Sequence, residues 1–450
     1  MARVVVVGGG FAGMAVAARL AKLRHEVTLL ERAPVLGGAL APEAEDGFSW
    51  DASATSMLLP AVVRDLFRKS GRPVERELEL VPLPFLREHR FEDGSSVRVP
   101  GGSRAAQLTA FDELGPGLGQ RWADHVAAYA DDWEVLRRNY LEVPWEPERP
   151  SPPLAAVLGS RETLRRRLRR DFRDERLRLV AGHRFVAEGH DLRDVPAWLG
   201  VHSYVEQRFG GWTVEGGMGR LAGALADRLA TRRVTVHTGT PVRDLVVREG
   251  RVVAVATGDG SAEDTVDADV VVVATDPRRL PALAPHVART TPAIPPVVCH
   301  VGLKGPLPDL GPETVLHGDP MLVVRTGGRV PQGNESGDLS AWTVHGRGRL
   351  AEDVLVALAR RGIDLRDRVV VRVDRSPREL VERWGGSPMG LQWQGRGTVR
   401  HRLGPTTPIP GVYAAGAHAT PGGGLPFVGL SAALVAQSVG PADGRAGDPA

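Results

Sequence analysis

The chain has 450 residues, 42% hydrophobic and 25% charged, an ordinary globular balance with length for more than one domain. Its formal net charge is only +3 and its basicity is almost all arginine, with lysine at Lys22, Lys69 and Lys304 alone, so nucleic-acid binding is not expected. A single cysteine, Cys299, excludes an intramolecular disulfide and a cysteine-based metal cage, and its expected role is that of a small buried hydrophobe.

Residues 4–7 are all valine and read as a buried parallel strand. Gly8-Gly9-Gly10-Phe11-Ala12-Gly13 follows as a G-x-G-x-x-G turn. Residues 14–23 continue as a helix of small and apolar residues, and residues 27–30 form a second strand ended by Glu31. This is a whole βαβ dinucleotide fingerprint. Gly8 makes the tight turn, Gly10 lets a pyrophosphate approach the backbone, Gly13 lets helix pack on sheet, and Glu31 accepts from a ribose hydroxyl. The helix start at Phe11 and Ala12 offers the positive end of its dipole to the phosphates. The acid disfavours a 2′-phosphate, so NADP is not expected, while NAD and FAD both stay open at this point. A signal-peptide reading of the same stretch fails because the glycines interrupt its apolar run. No segment reaches the ~18 apolar residues of a membrane span, so a cytoplasmic protein, soluble or peripheral to the membrane, is expected.

After Glu31 the chain reads RAPVLGGAL, residues 32–40, in which Gly37-Gly38 is a second place for close backbone approach. This resembles the extended FAD motif of the amine oxidase and phytoene desaturase superfamily, E-x-x-x-x-x-G-G-R. Glu31, Gly37 and Gly38 match, and Ala39 stands where the motif has arginine. The resemblance implies FAD, with Arg32, Gly37, Gly38 and Ala39 along it. GFSWDASATSMLLP, residues 47–60, resembles the G-F-x-F-D-x-G-P-T stretch of bacterial phytoene desaturases. Trp50, Asp51 and Thr55 fit, and Ser53-Ala54 replace Gly-Pro. The resemblance puts Ala54 and Thr55 beside the flavin; taken alone, an ordinary edge strand and turn explains the segment as well.

Residues 89–102 read as a hairpin around Asp93-Gly94. A helical region follows, broken by the proline-rich VPWEPERPSPP. Within it, residues 161–179 place Leu164, Leu168 and Phe172 on one helical face and arginines on the other. The stripe is expected to pack on the core, with contact to an anionic membrane surface as the alternative. Residues 209–257 resemble the family's G-x-x-x-x-x-G-G-M, helix, strand and hairpin, with Gly211, Gly216, Gly217 and Met218 matching. That resemblance sets the backbone of Val242 against the adenine. ADVVVVATDP, residues 268–277, resembles the strand that closes the FAD domain, which adds Ala274 to the cofactor residues. Residues 326–340 are polar and glycine-rich and read as an exposed loop.

WGGSPMGL, residues 384–391, resembles the G-S-I-x-G segment that precedes the final FAD motif of phytoene desaturases. That final motif is GVYAAGAHATPGGGLPFVGL: a strand, Gly416-Ala417 at its carboxyl end, three glycines, then a helix. The desaturase branch reads G-A-x-T-H-P-G-G-G, and Ala419-Thr420 here replaces its Thr-His. The resemblance lays Gly416, Ala417 and Gly424 along FAD. It has the three glycines pass close to the flavin ring while Pro426, Phe427 and Val428 aim helix N–H groups at the edge that gains charge on reduction. Residues 441–450 are expected to be a disordered tail.

No metal-ligand spacing of histidines, P-loop or hydrolase elbow is present. One dinucleotide fingerprint without a second, for NAD(P)H, points to oxygen or a quinone-like carrier as electron acceptor. The best family description is a phytoene desaturase-like FAD-dependent oxidoreductase. It implies an α/β fold: a doubly wound, Rossmann-like FAD-binding domain, discontinuous over 1–70, 205–285 and 385–440, with a second mixed α+β substrate domain from 71–204 and 286–384. It also implies dehydrogenation of an apolar, isoprenoid or carotenoid-like substrate by hydride transfer to flavin N5, with no catalytic acid or base identified. An amine oxidase or tailoring oxidase acting on a smaller polar substrate is the alternative, and an aromatic cage with a buried carboxylate would mark it. A prenyl-lipid carrier of the same fold is a further alternative, against which the intact Gly8, Gly10, Gly13 and Glu31 count.

Overall fold

The computed structural model describes residues 1–144, 146–258, 264–332 and 337–442. Its central element is a five-stranded parallel sheet in the order Val412–Ala414, Val270–Val273, Arg3–Val7, Glu26–Leu30, Thr235–His237. Strand periodicity divides the valine run between two layers. Val4 and Val6 pack with the helices Phe11–Lys22, Gly219–Thr231 and Leu425–Val439 on one face. Val5 and Val7 face an antiparallel layer built from Val242–Arg248, Arg251–Thr257 and Thr265–Asp267. Burial on both faces is why the strand is uniformly apolar rather than alternating.

A second sheet has seven strands, ordered Val369–Arg375, Val297–Lys304, Leu339–Arg347, Met321–Arg325, Glu313–Leu316, Arg87–Arg90, Ser96–Val99. It is mixed, because Glu313–Leu316 runs parallel to Arg87–Arg90 while its other pairings are antiparallel. Here the strands alternate. Cys299, Val301, Leu322, Val324, Trp342 and Val344 point into a core shared with the helix Val354–Arg360. Their neighbours Val298, Val323, His345 and Arg347 face the other way, into a cavity. The expected hairpin at Asp93-Gly94 forms the last two strands of this sheet. Cys299 is fully buried, in keeping with the role of a small hydrophobe.

Helices between Arg104 and Phe209 make a lobe around Phe111, Trp122, Tyr129 and Phe172. The amphipathic stretch expected as one helix is two, Leu164–Asp171 and Glu175–Ala187. Phe172 between them is extended, and the Asp174 side chain accepts from the Arg176 N–H, capping the second helix and stopping the first from continuing. Leu164, Leu168 and Phe172 are all buried, so the apolar stripe packs on the lobe's core. In the segment expected as an exposed loop, Arg329 pairs with the backbone of Ser49, and residues from Leu339 onward are strand. Residues 333–336 of that loop, and 443–450 of the expected tail, lie outside the described residues. Among the described residues no helix is long and apolar enough to cross a membrane.

Candidate functional site

At the carboxyl ends of the parallel strands, where ligands collect in such sheets, lies a cavity of about 1040 Å³. Every cofactor residue singled out from the sequence lines it except Gly13 and Phe427. Gly13 is close by for another reason: a Cβ there would sit 1.8 Å from the Gly8 carbonyl oxygen, so its lack of a side chain lets helix and turn touch. Gly8 has φ +104, in glycine territory, and its N–H donates to the Leu30 carbonyl at 2.9 Å. The Gly37 N–H donates to the Gly9 carbonyl at 2.9 Å, and Gly10 pairs with Gly37, so the two glycine loops lie backbone to backbone. In front of Gly10 there is room: a Cβ added there would have the Gly38 Cα as its nearest neighbour, at 4.0 Å. A cradle of bare backbone at a helix N-terminus suits the pyrophosphate of a dinucleotide.

Glu31, expected to accept from a ribose hydroxyl, also holds the loop in place. Its carboxylate takes the Gly9 N–H at 2.5 Å and the Ala33 N–H at 2.6 Å, tying the first loop to the second strand's end. Each oxygen keeps a further lone pair for a ribose hydroxyl. Arg32 lines the cavity and also acts as a brace: its Nη2 donates to the carbonyls of Glu382 and Arg383 at 2.6 and 2.9 Å. That holds the segment Gly385 to Met389 against the cavity, and Thr275 Oγ1 adds a bond to the Gly385 carbonyl at 2.9 Å. These residues were absent from the sequence-derived set, although the GGS of WGGSPMGL was their signal.

The triple glycine divides in function. A Cβ on Gly422 would meet the Arg402 guanidinium at 2.7 Å, and one on Gly423 the Met389 carbonyl at 2.6 Å. Both face a smaller neighbouring cavity of about 60 Å³. Only Gly424, with φ +98, lines the large one. Phe427 likewise turns its ring into the small cavity, edge-on to His202 at 5.2 Å between centroids. The helix start also has fewer free donors than expected: Pro426 has no N–H, and the Val428 N–H donates to the Gly424 carbonyl at 2.9 Å. Gly416 is held at φ +103 with its N–H donating to the buried Ser431 hydroxyl at 3.1 Å.

The cavity that the glycine loops line also has an ionic part, which no motif signalled. Arg87 donates to Glu206 at 2.7 Å and to Glu313 at 3.2 Å. Arg325 donates to the other Glu313 oxygen at 2.9 Å and to the Ser53 carbonyl at 2.6 Å. Arg184 pairs with Glu188 at 3.0 Å and donates to His202 Nδ1 at 3.2 Å. Burial would raise the Glu206 and Glu188 carboxyls, but Arg87 and Arg184 respectively outweigh it and hold both at about 2. Burial, with Arg87 alongside, pushes the His183 imidazole down to about 4, so it is neutral. Between these charges lie apolar side chains: Leu58, Leu86, Val298, Val315, Met321 and Val323. The only signal for the charged set was polar alternation at Thr343, His345 and Arg347 in an otherwise apolar strand.

The glycine cradle, helix terminus and acid fit a flavin dinucleotide, and comparison with known proteins agrees. The family model described as flavin containing amine oxidoreductase matches residues 11–439. Hydroxyneurosporene desaturase of Cereibacter sphaeroides is 29% identical, covering 97% of this chain and 97% of its own. The 4,4'-diapolycopene oxygenase of a Methylomonas species is 24% identical over 97% of this chain and 98% of its own. Among solved structures, an oxidoreductase from Methanosarcina mazei shares the fold, with a TM-score of 0.63 and 18% identity over 97% of this chain and 100% of that one. The chain thus belongs to the flavin-containing amine oxidoreductase family and is an FAD-dependent oxidoreductase.

Proposed function

We propose that the protein dehydrogenates an apolar, isoprenoid-like chain, with FAD held by the backbone of Gly8, Gly10, Gly37 and Gly38. FAD, when bound, supplies a hydride acceptor. The protein's own part is to seat the cofactor, lay the substrate against it and exclude water. The observation that carries the reading is the set of apolar side chains, Leu58, Leu86, Val298, Val315, Met321 and Val323, that line the same cavity as the glycine loops. Full-length similarity to two proteins named for carotenoids supports it. The amine reading finds less support. Among the described residues, Phe11 and Trp384 are the only Phe, Tyr or Trp lining the cavity, too few for a cage, and each glutamate of the ionic wall is already paired with an arginine.

We divide the chain functionally into an FAD-binding domain, residues 1–70, 205–285 and 385–440, and a substrate domain from the intervening segments. Oxygen or a quinone-like carrier is the proposed acceptor. The exposed Arg166, Arg169 and Arg173 support a peripheral contact with an anionic membrane, made by charge alone because the apolar stripe is spent on the core. The test is anaerobic: FAD-loaded protein is mixed with isoprenoids and with amines, and the flavin absorbance is followed. Bleaching by isoprenoids is expected; bleaching by amines alone would reject the reading.

A further inference from the structure

Beyond its apolar side chains, the substrate wall has one cation more than it needs. Four arginines, Arg87, Arg184, Arg325 and Arg347, stand there with three glutamates, Glu188, Glu206 and Glu313. The glutamates are taken by Arg87, Arg184 and Arg325. Arg347 has no carboxylate ion pair among the described residues. Its Nε and Nη2 donate to the Ala187 carbonyl at 3.1 and 3.0 Å, and Nη2 also to the Ile294 carbonyl at 2.6 Å. Its Nη1 makes no hydrogen bond to a described residue. Two backbone carbonyls therefore fix the plane of the guanidinium, with Nη1 beside Gly189, 3.1 Å from where a Cβ there would stand. Two residues back on the same strand face, about 7 Å along it, is His345. Its Nε2 is buried and has no partner among the described residues.

A half-buried guanidinium without a counter-ion is costly, and so is a buried imidazole nitrogen without a bond. A wall built only for hydrocarbon would do better with apolar residues at both positions. His345 instead stands between Val298 and Val323 across the sheet, and Arg347 stands opposite Met321 two residues on, so two polar groups interrupt the apolar lining. We propose that the substrate is an apolar chain bearing a carboxylate, and that Arg347 binds this carboxylate with His345 beside it. The proposal rests on the dehydrogenase reading above and narrows its substrate class. A carboxylate carries the single charge that Arg347 leaves unbalanced, and its oxygens accept hydrogen bonds from a guanidinium. An ammonium group would meet the same unpaired cation and be repelled.

The test uses the FAD-loaded full chain, with geranylgeranoic acid and its methyl ester as probes differing in charge. Binding is measured by calorimetric titration and flavin reduction by anaerobic mixing. The acid is expected to bind about 10- to 100-fold more tightly than the ester. Arg347→Met should erase that difference, and Arg347→Lys should keep part of it. Equal affinity for acid and ester in the wild type, or a preference for the acid that survives in Arg347→Met, overturns the proposal. If Arg347→Met does not fold, the wild-type comparison and Arg347→Lys still decide. Failure of the underlying reading looks different: neither isoprenoid binds or bleaches the flavin while putrescine does.

Discussion

Two alanine substitutions in the same glycine turn should differ in their consequences for folding and agree in their consequence for FAD. In Gly13→Ala the helix gains about 1 kcal/mol of intrinsic propensity. The new Cβ, however, would lie 1.8 Å from the Gly8 carbonyl oxygen and 3.0 Å from its carbon. Those are backbone atoms of a turn hydrogen-bonded to the next strand, so they cannot rotate away, and helix and sheet must part by roughly 1 Å. Overpacking of that kind costs about 1–3 kcal/mol or more, which exceeds the propensity gain. The protein should therefore be less stable, by up to about 2 kcal/mol, and lose its cofactor. In Gly10→Ala the backbone already has φ −73, which alanine adopts freely, and the nearest atom is 4.0 Å from the new methyl. The protein without FAD should keep its stability within about 1 kcal/mol, while the methyl occupies the place where the pyrophosphate approaches. FAD content by absorbance and thermal unfolding of the FAD-stripped proteins separate the two effects. A Gly13→Ala protein with full FAD and an unchanged melting temperature would refute the close-packing argument, and full FAD in Gly10→Ala would refute the cradle.

Glu31→Ala frees the Gly9 and Ala33 N–H groups that order the first loop, and FAD affinity should drop about 10- to 100-fold in a fluorescence titration; wild-type affinity would count against it. Arg87→Met leaves Glu206 buried without its arginine and Glu313 with Arg325 alone, and should cost about 3–5 kcal/mol in denaturant unfolding, with Glu206→Gln recovering part. Acid should destabilise the fold early. Burial holds His183 and His300 at about 4 and His202 and His317 at about 3. These stay neutral when folded but take up protons in the unfolded chain below its usual value near 6.5. Stability is thus full above about pH 6.5 and falls as pH drops toward 4. Protonation of Glu188 and Glu206, held at about 2, extends the loss at lower pH. Thermal scans that are flat from about pH 7.5 to 4.5 would contradict this.

How much of the site could be read from the chain depends on how far apart its parts lie. The fingerprint from Gly8 to Glu31 is contiguous, and its spacing follows from the lengths of one strand, one turn and one helix, so sequence alone determined a dinucleotide cradle and the sheet that carries it. The glycine run near the C-terminus was legible as special but not in its reasons. Gly422 makes way for Arg402, Gly423 for the Met389 carbonyl and Gly424 for Arg184, and those neighbours come from other parts of the chain. Of the ionic wall, only the polar alternation at Thr343, His345 and Arg347 was legible. Arg87, Glu206, Glu313 and Arg325 belong to four elements, and each by itself reads as a solvated surface charge. Only the register of the second sheet and the seating of the helical lobe bring them together, bury them, and leave Arg347 as a cation of that wall without a carboxylate partner among the described residues. Local backbone geometry is written in neighbouring residues; the pairing of charges across a cavity is set by tertiary packing, where each group's partner is chosen by proximity in space and by exclusion of water.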